Sequence, residues 1–245
     1  MNDFASKSVL VTGGGRGIGA QTCREFAKRG AAVFVNYLHS RKEAESLARE
    51  VGGIALKADV SNPSGVEKMR NAILRKTGGT LDILINNAGV IDRVSSALDV
   101  TEGMWGRMVD VNLKGTFLCT QAFAPALLES RGCIVNVSST AHFQCAFPAA
   151  HYNASKAGVV ALTKTYARQL APRVRVNCVA PGFIQTNFQN EYSKERQGEI
   201  LKEIPLARFG KPGDVAKVVA ALCTGEFSYV TGQTLVVDGG RVMVP

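Results

Sequence analysis

The stretch that decides the fold is VLVTGGGRGIG, residues 9–19. It begins as a β-branched run, passes through a glycine-rich turn and continues into a helical pattern. Gly13, Gly17 and Gly19 permit a tight turn and close approach of the backbone to a ligand, and the helix N-terminus offers free N–H groups to a pyrophosphate. A turn without a ligand has the same residues. The position directly after the first strand favours a dinucleotide site.

The same alternation of strand and helix patterns continues along the chain. The strand patterns are SVLVTG, AAVFVNY, GIALKADV, LDILINNAG, CIVNVSS, VRVNCVAPG and QTLVVDGG. The helical patterns between them cover 17–29, 41–50, 63–77, 101–128, 152–170 and 212–223. Several strands are apolar on both faces, which is typical of a parallel sheet covered by helices on both sides. We therefore predict one α/β domain over 1–245, a Rossmann-like, doubly wound parallel sheet of seven strands with right-handed crossovers.

Length and composition fit this prediction. The chain has 245 residues, of which 46% are hydrophobic and 20% charged. No window approaches the roughly 18 consecutive apolar residues of a membrane span. The N-terminal residues run directly into the first strand pattern, without the charged start and cleavage site of a signal peptide. We expect a cytoplasmic protein that does not associate with membranes.

Cysteine, histidine and charge argue against several other classes. The six cysteines form no C-x-x-C pair, so we expect reduced, mostly buried thiols rather than disulfides or zinc ligands. His142 and His151 lie nine residues apart and flank a loop without carboxylate ligands, and we expect no metal. The net charge is +9, but the basic residues are dispersed and aromatics do not interleave with them, so we expect no nucleic-acid partner. A basic surface also favours phosphorylated cofactors and phosphopantetheine carriers.

The second strand bears on the choice of nucleotide. It ends VFVNYLHSRK, with Asn36 and Tyr37 and no carboxylate before Glu43. A carboxylate there would hold the ribose 2′-OH of NAD and repel a 2′-phosphate, so its absence favours NADP(H) over NAD(H). Arg16 and Arg41 can supply the opposing positive charge, although Arg41 fits a solvated helix start equally well.

Two other strand ends carry residues suited to a bound cofactor. Asp59 can accept from an adenine amino group or cap a helix, and Asn62 is a competing cap. The strand ending in NNAG allows close contact between backbone and cofactor. The cofactor contacts that we predict on these loops are Gly13, Gly15, Arg16, Gly17, Ile18, Gly19, Asn36, Tyr37, Arg41, Asp59, Val60, Asn87, Ala88 and Gly89.

Six motifs in order identify a family resemblance. They are TGGGRGIG, NNAG, VNLKG, NVSS, YNASK and APG, and with them the chain resembles a short-chain dehydrogenase/reductase of the compact, single-domain type over essentially all 245 residues. The final third, with IPLARFGKPGDVAKVVAALC and YVTGQTLVVDGG, is particularly similar to 3-oxoacyl-carrier-protein reductases. The resemblance implies an NADP(H)-dependent carbonyl reductase with a place in fatty acid biosynthesis.

The resemblance also implies catalytic roles. Tyr152 would be the general acid, and Lys156, one helical turn away, would favour its phenolate and bind the nicotinamide ribose. Ser139, thirteen residues before the tyrosine, would polarise the substrate carbonyl. Its neighbour Ser138 is expected to bond to backbone. The backbone carbonyl of Asn112 would hold a water that links the lysine to solvent.

The segment APGFIQTNF would close over the nicotinamide and the diphosphate. Its implied cofactor contacts are Pro181, Gly182, Ile184 and Thr186, besides Tyr152 and Lys156. The polar stretch 187–200 that follows fits a mobile substrate lid or an ordinary surface helix.

The loop 140–151, between serine and tyrosine, should line the substrate pocket. The substrate contacts that we predict are Ser139, Phe143, Gln144, Phe147, Tyr152 and Phe183. Their apolar character suits an acyl chain, an aromatic ketone or a sterol, and argues against polyhydroxylated sugars. The leading substrate is a 3-oxoacyl thioester; a secondary-metabolite ketone or steroid is the alternative. A nucleotide-sensing regulatory protein on the same fold typically loses the tyrosine or the lysine, and this chain has both.

The resemblance implies two protein partners. One is a second copy of the chain, in a homotetramer packed through the helices after strands four and five and through the last strand, with Trp105 as a packing residue. The other is an acyl carrier protein, which would need basic residues near the entrance of the site. Arg173 matches such a position, whereas Arg131 lies one place from the second, where Ser130 stands.

Overall fold

A computed structural model describes residues 3–92, 94–145, 148–186 and 193–243. These residues form a seven-stranded parallel sheet in the order β3-β2-β1-β4-β5-β6-β7. The strands are β1 Ser8–Val11, β2 Ala32–Tyr37, β3 Ile54–Lys57, β4 Ile83–Asn86, β5 Cys133–Val137, β6 Arg175–Pro181 and β7 Thr234–Val237. The predicted fold class and strand set are confirmed. The strand order reverses between β1 and β4, which is where a doubly wound sheet binds its ligand.

Helices connect the strands. They are α1 Gly17–Lys28, α2 Arg41–Glu50, α3 Pro63–Lys76, α4 Glu102–Val109, α5 Gly115–Ser130, α6 Ala141–Gln144, α7 Ala150–Leu170, α8 Lys194–Lys202 and α9 Pro212–Leu222. The prediction of one continuous helix over 101–128 is wrong in one respect. A π-helical turn, Asp110–Lys114, separates α4 from α5. Such turns widen the helix locally and are frequent at functional sites.

The central strands are buried on both faces, as their apolar sequences predicted. Val9 and Val11 belong to the cluster that includes α1, α2 and α9, whereas Leu10 belongs to the cluster on the opposite face with α3, α5 and α7. All three side chains are fully buried. Because alternate residues of a strand face opposite sides, one short strand contributes to both layers. The sheet thereby holds the loops at its carboxyl edge on a rigid base.

No disulfide bond joins the cysteines, all of which the structure describes. All six cysteines are free thiols, and four of them are buried. Within the part of the chain that the structure describes, no helix has both the length and the apolar character that a membrane crossing requires. Across the same residues, no three histidine, cysteine or acidic side chains come together as a metal-binding group.

Candidate active site

The glycine loop fits closely against the end of β4. Gly13 has a positive φ of +60°, and a Cβ there would lie 2.9 Å from the Cα of Ala88. A Cβ on Gly19 would lie 2.4 Å from the carbonyl oxygen of Gly13. Neither position accepts a side chain, so the loop can approach a ligand with bare backbone. The loop leads into α1, whose N-terminal N–H groups face the same edge.

A hydroxyl that the sequence analysis missed ties the two loops together. The Oγ1 of Thr12 accepts hydrogen bonds from the backbone N–H groups of Asn87, at 2.9 Å, and Ala88, at 3.0 Å. The amide of Asn87 donates in return to the carbonyl oxygens of Thr12 and Gly13. Thr12 directly follows a strand, which is the only signal that its sequence position offers. The NNAG and glycine loops are therefore one unit.

Asn36 supports the loop from below. Its Oδ1 accepts from the N–H of Gly13 at 3.2 Å, and its amide donates to the carbonyl oxygens of Leu56 and Ala58. The side chain is 2% exposed. Tyr37 is also buried, in the core cluster beneath α1 and α2. Both residues were predicted as cofactor contacts. The structure places the Asn36 side chain as a support of the loop and the Tyr37 side chain in the core, and β2 ends without a carboxylate.

The two candidate arginines differ in their surroundings. Arg41 is exposed, and its Nε pairs with Oε1 of Glu45 at 2.7 Å on the surface of α2. This favours the alternative of a solvated helix start. Arg16 is exposed at the start of α1, and no ion-pair partner for it lies among the described residues. Ser40, which the sequence analysis did not single out, has its Oγ 2.6 Å from where a Cβ of Gly15 would lie.

At the end of β3, the structure distinguishes between the two alternatives for Asp59, an acceptor for adenine and a helix cap. The carboxylate of Asp59 accepts from the N–H and the hydroxyl of Ser61, at 2.9 and 2.7 Å. The cap of α3 is Asn62, whose Oδ1 accepts from the N–H groups of Ser64 and Gly65. Asp59 is therefore not the cap, and its carboxylate lies in a tight turn at the carboxyl edge of the sheet. Val60 beside it is buried.

Ser139, Tyr152 and Lys156 meet where β5 ends and α7 begins. The hydroxyls of Ser139 and Tyr152 are hydrogen bonded to each other. The ammonium of Lys156 donates to the carbonyl oxygen of Val137 at 2.9 Å and lies 5.9 Å from the centre of the Tyr152 ring. The predicted catalytic residues are thus brought together by one strand end and one helical turn.

The pKa of Tyr152 differs from the sequence-based expectation. Burial raises the pKa of Tyr152, and the hydrogen bond from Ser139 opposes this only in part. Burial also lowers the pKa of Lys156 to about 8. We expected the ammonium to favour the phenolate. In this fold, Lys156 is buried and Tyr152 is half-buried, and the loss of hydration of the charged form is the largest effect on the pKa of each. Tyr152 therefore holds its proton firmly.

The adjacent serines have different partners, and the backbone bond predicted for Ser138 is present. The hydroxyl of Ser138 donates to the carbonyl oxygen of Lys156 at 2.8 Å, and the residue is 3% exposed. Ser139 is half-buried, and its Oγ accepts from the N–H of Ala141 at 3.2 Å in addition to its bond with Tyr152. Ser138 thus anchors α7 to β5, whereas Ser139 is bonded to Tyr152.

Asn112 lies in the π-helical turn and is 1% exposed. Its Oδ1 accepts from the N–H of Val90 at 2.8 Å, and its amide donates to Val90 O and to the Oγ of Ser155. Its own carbonyl oxygen accepts from Thr116 at 2.9 Å. The side chain therefore joins the loop after β4 to α7. A Cβ on Gly89 would lie 3.3 Å from Asn112 Oδ1 and 3.5 Å from Lys156 Nζ, so these groups are close.

The segment after β6 packs over the glycine loop. A Cβ on Gly182 would lie 2.4 Å from the Cβ of Asp238, so only glycine fits beside the end of β7. Ile184 is buried and bridges to Gly210. The methyl group of Thr186 lies 3.5 Å from where a Cβ of Gly17 would be. Pro181 ends β6, so this segment leaves the sheet beside Ser139 and reaches the phosphate end.

Those predicted substrate contacts that the structure describes lie around this edge. Phe143 is 38% exposed and stacks on His142, with ring centres 3.8 Å apart. Phe183 packs against Phe209 at 6.3 Å. Phe147 and residues 187–192 lie outside the described residues. A cavity of about 390 Å³ opens beside the loop, and its lining includes His142, Cys145, Pro148 and Asn153.

The arginines proposed for carrier recognition lie elsewhere. Arg131 and Arg173 line one cavity of about 1030 Å³, together with Lys7 and Arg175. They precede β5 and β6, so they lie at the amino edge of the sheet, one strand length from Ser139. The expectation that they lie near the entrance of this chain's own site is wrong. Strands β5 and β6 begin just after these arginines and end at the opposite, carboxyl edge of the sheet, where the site lies.

Comparisons with known proteins agree with this geometry. The family model described as enoyl-(acyl carrier protein) reductase matches residues 13–241. The chain is 41% identical to a 3-oxoacyl-[acyl-carrier-protein] reductase of Staphylococcus aureus, with 97% of this chain and 99% of the relative covered. It is 40% identical to the reductase of the same name from Thermotoga maritima, with 97% and 98% covered.

Solved structures show the same relationship. A 3-oxoacyl-[acyl-carrier protein] reductase from Brucella melitensis superposes with a TM-score of 0.90 at 35% identity, covering 99% of this chain and 94% of the other. A short-chain dehydrogenase/reductase from the same organism, described as glucose/ribitol dehydrogenase, gives 0.93 at 34% identity, with 99% of each chain covered. The fold and site define an oxidoreductase that acts on CH–OH donors. The chain belongs to the short-chain dehydrogenases/reductases.

Proposed function

We propose that this protein reduces 3-oxoacyl thioesters with NADPH. The observation that carries the proposal is the pair of hydrogen-bonded hydroxyls, Ser139 and Tyr152, with Lys156 one turn away on the switch-point edge of the sheet. The relatives that are about two-fifths identical over almost the whole chain bear the name 3-oxoacyl-[acyl-carrier-protein] reductase. The chemistry of the site and the names of the relatives therefore support the same substrate class.

The glycine cradle fits a dinucleotide. Gly13 and Gly19 leave no room for a Cβ, and the N-terminus of α1 follows directly. The exposed Arg16 and the absence of a carboxylate on β2, described above, support NADP(H) over NAD(H). When bound, the nicotinamide supplies the hydride for reduction or accepts it in the reverse direction.

The chain's own residues would bind the carbonyl oxygen of the substrate and supply the proton. The hydroxyls of Ser139 and Tyr152 would bind the carbonyl oxygen, and Tyr152 would protonate it as negative charge develops. The raised pKa of Tyr152 keeps it protonated at neutral pH until then. Lys156, with a pKa of about 8, can replace the proton at small energetic cost because its acidity lies near neutrality.

The substrate class rests on the apolar lining. Phe143 and Phe183 present rings rather than hydrogen-bonding groups, which supports an acyl chain over a sugar. Other ketones, from secondary metabolites or steroids, are the alternative. We further propose a cytoplasmic location and a role in fatty acid biosynthesis.

The partners are proposed on the same basis. The names of the relatives support a carrier-bound substrate. An acyl carrier protein that binds Arg131 and Arg173 would dock at the amino edge of the sheet. For the homotetramer, Trp105 on α4 and Phe117 on α5 are 45% and 40% exposed, and β7 is an edge strand, so these surfaces are open to a second copy.

Loss of NADPH absorbance with a short 3-oxoacyl thioester tests the function. We expect turnover with this substrate and little with the matched 2-enoyl thioester, which has no ketone. Faster reduction of the enoyl thioester would replace the proposal with the activity in the family description. If only other ketones are reduced, the protein is a carbonyl reductase with a different substrate. Tight NADPH binding without any turnover would support a sensor.

A further inference from the structure

Arg241, four residues past the end of β7, joins three segments that are distant in sequence. Its Nη1 donates to Oε1 of Gln144 at 2.7 Å. Its Nε and Nη2 donate to Oε2 of Glu203 at 2.8 and 2.5 Å. The guanidinium carbon lies 5.0 Å from the ring centre of Phe183. The side chain is 13% exposed, so these contacts replace most of its contact with water.

A tight turn holds Arg241 in this place. The carboxylate of Asp238 accepts from the N–H groups of Gly240, at 2.9 Å, and Val242, at 2.6 Å. Gly239 and Gly240 have φ values of +73° and +89°, which glycine adopts without strain. The turn reverses the chain and directs the arginine back across the carboxyl edge of the sheet.

The partners of Arg241 belong to segments around the substrate position. Gln144 ends α6, five residues after Ser139, and Phe183 lies within APGFIQTNF, the segment predicted to close over the nicotinamide. Glu203 is the C-cap of α8 and lies three residues past the polar stretch 187–200, for which a lid or a surface helix was predicted. We propose that Arg241 is a positioning residue that holds the substrate loop against α8 and so sets the affinity for the carbonyl substrate. The proposal rests on the proposed function, because that function makes these segments the substrate wall.

The contacts show why arginine serves here. A planar guanidinium can bond two acceptors along its edges while its face lies on an aromatic ring, which a lysine cannot do. Two of its nitrogens donate to Glu203, and this carboxylate balances its charge. Arg241 therefore braces the wall rather than binding an anionic substrate. Without it, substrate binding must order the loop, which weakens binding while leaving the chemical step intact.

Kinetics on the carbonyl substrate test the proposal. Arg241→Met keeps the length of the side chain but loses both sets of hydrogen bonds, and we expect KM to rise about ten-fold with kcat within about two-fold. Arg241→Lys should lie between, because it keeps the charge and one bond. The matched control is Arg24→Met, which removes a two-bond ion pair with Glu50 between α1 and α2. It should leave KM unchanged.

A double-mutant cycle tests whether the rise in KM comes from the contact between Arg241 and Gln144. If Arg241 acts through Gln144, adding Gln144→Ala to Arg241→Met should raise KM little beyond the single variants. Additive effects, or an unchanged KM in Arg241→Met, would overturn the proposal. A fall in kcat with KM unchanged would also overturn it, because it would place Arg241 in the chemical step. If Arg241→Met does not fold, Glu203→Gln tests the same proposal, because it removes the charge of the half-exposed carboxylate that Arg241 binds.

A measurement without substrate separates this proposal from the proposed function. Amide hydrogen exchange of 141–145 and 200–204 should be faster in Arg241→Met than in the parent, and unchanged in Arg24→Met. If the parent reduces no 3-oxoacyl thioester, the proposed function fails, while exchange still decides whether Arg241 braces the loop. KM is then measured on whichever ketone the parent reduces. Unaltered exchange in both segments would contradict the brace.

Discussion

The nucleotide side of the sheet and its substrate side are built by contacts of different range. On the nucleotide side, the closest fit is local: a Cβ on Gly19, in the first turn of α1, would lie 2.4 Å from the carbonyl oxygen of Gly13, six residues earlier, although Gly13 also packs against Ala88. On the substrate side, Gln144 is held by Arg241, 97 residues later in the chain. A glycine turn is a local device that can be recognised in a sequence, whereas a side-chain brace exists only once the fold is complete. The predictions below test this contrast.

The largest effect is expected where the two sides meet. Tyr152→Phe removes the proton donor, and we expect kcat to fall by a factor on the order of a thousand, with NADPH binding largely intact. Steady-state kinetics and NADPH fluorescence titration measure the two quantities. Tyr166→Phe, on the same helix and bonded to Gln121, is the matched control and should retain activity. Substantial turnover in Tyr152→Phe would remove the assigned acid.

The next effect tests the nucleotide side. Gly19→Ala places a Cβ 2.4 Å from the carbonyl oxygen of Gly13, so the loop must shift. We expect the Kd for NADPH to rise by about a hundred-fold, since misplaced backbone donors lose several charge-assisted hydrogen bonds. The control is Gly103→Ala in α4, where a Cβ meets nothing within 4 Å. It should bind normally and be about 0.5–1 kcal/mol more stable. Normal binding by Gly19→Ala would contradict the cradle.

A smaller effect separates the two nucleotides. Arg16→Ala should weaken NADPH binding about ten-fold and NADH binding far less, because only NADPH has the 2′-phosphate. Arg41→Ala is the matched control and should change neither Kd much, since Arg41 is already paired with Glu45. Titration of both variants with both nucleotides measures this. Equal losses for the two nucleotides in Arg16→Ala would remove the case for 2′-phosphate recognition.

The smallest effect concerns the pH dependence of stability. The pKa of Lys156 is about 8 in the folded protein, below its ordinary value of 10.5, so the unfolded chain binds more protons between these values. The parent should therefore gain stability relative to Lys156→Met as the pH rises from 8 through 9.5. The comparison with the variant cancels buried thiols such as Cys23, whose raised pKa of about 12 acts in the opposite direction. Urea titrations at several pH values measure the difference. Parallel stability curves would show that Lys156 is not desolvated.

Sequence reasoning succeeded where a short pattern carries the physics. The strand set, the convergence of Ser139, Tyr152 and Lys156, and the structural role of Ser138 follow from strand alternation and helical spacing, aided by the family resemblance. It failed where folding decides the environment. The direction of the Tyr152 pKa, the inward turn of Asn36 and the position of Arg131 and Arg173 at the amino edge depend on burial and on which strands are neighbours.

The sequence by itself determined the parallel fold, the glycine turn after β1 and the one-turn spacing of Tyr152 and Lys156, because each is a pattern of residues close together in the chain. Only the tertiary structure decided how firmly Tyr152 holds its proton and which groups support the loops. It also placed Arg241 across the substrate loop. Desolvation and side-chain contacts across 97 residues arise only when the whole core has packed, so no short stretch of sequence records them.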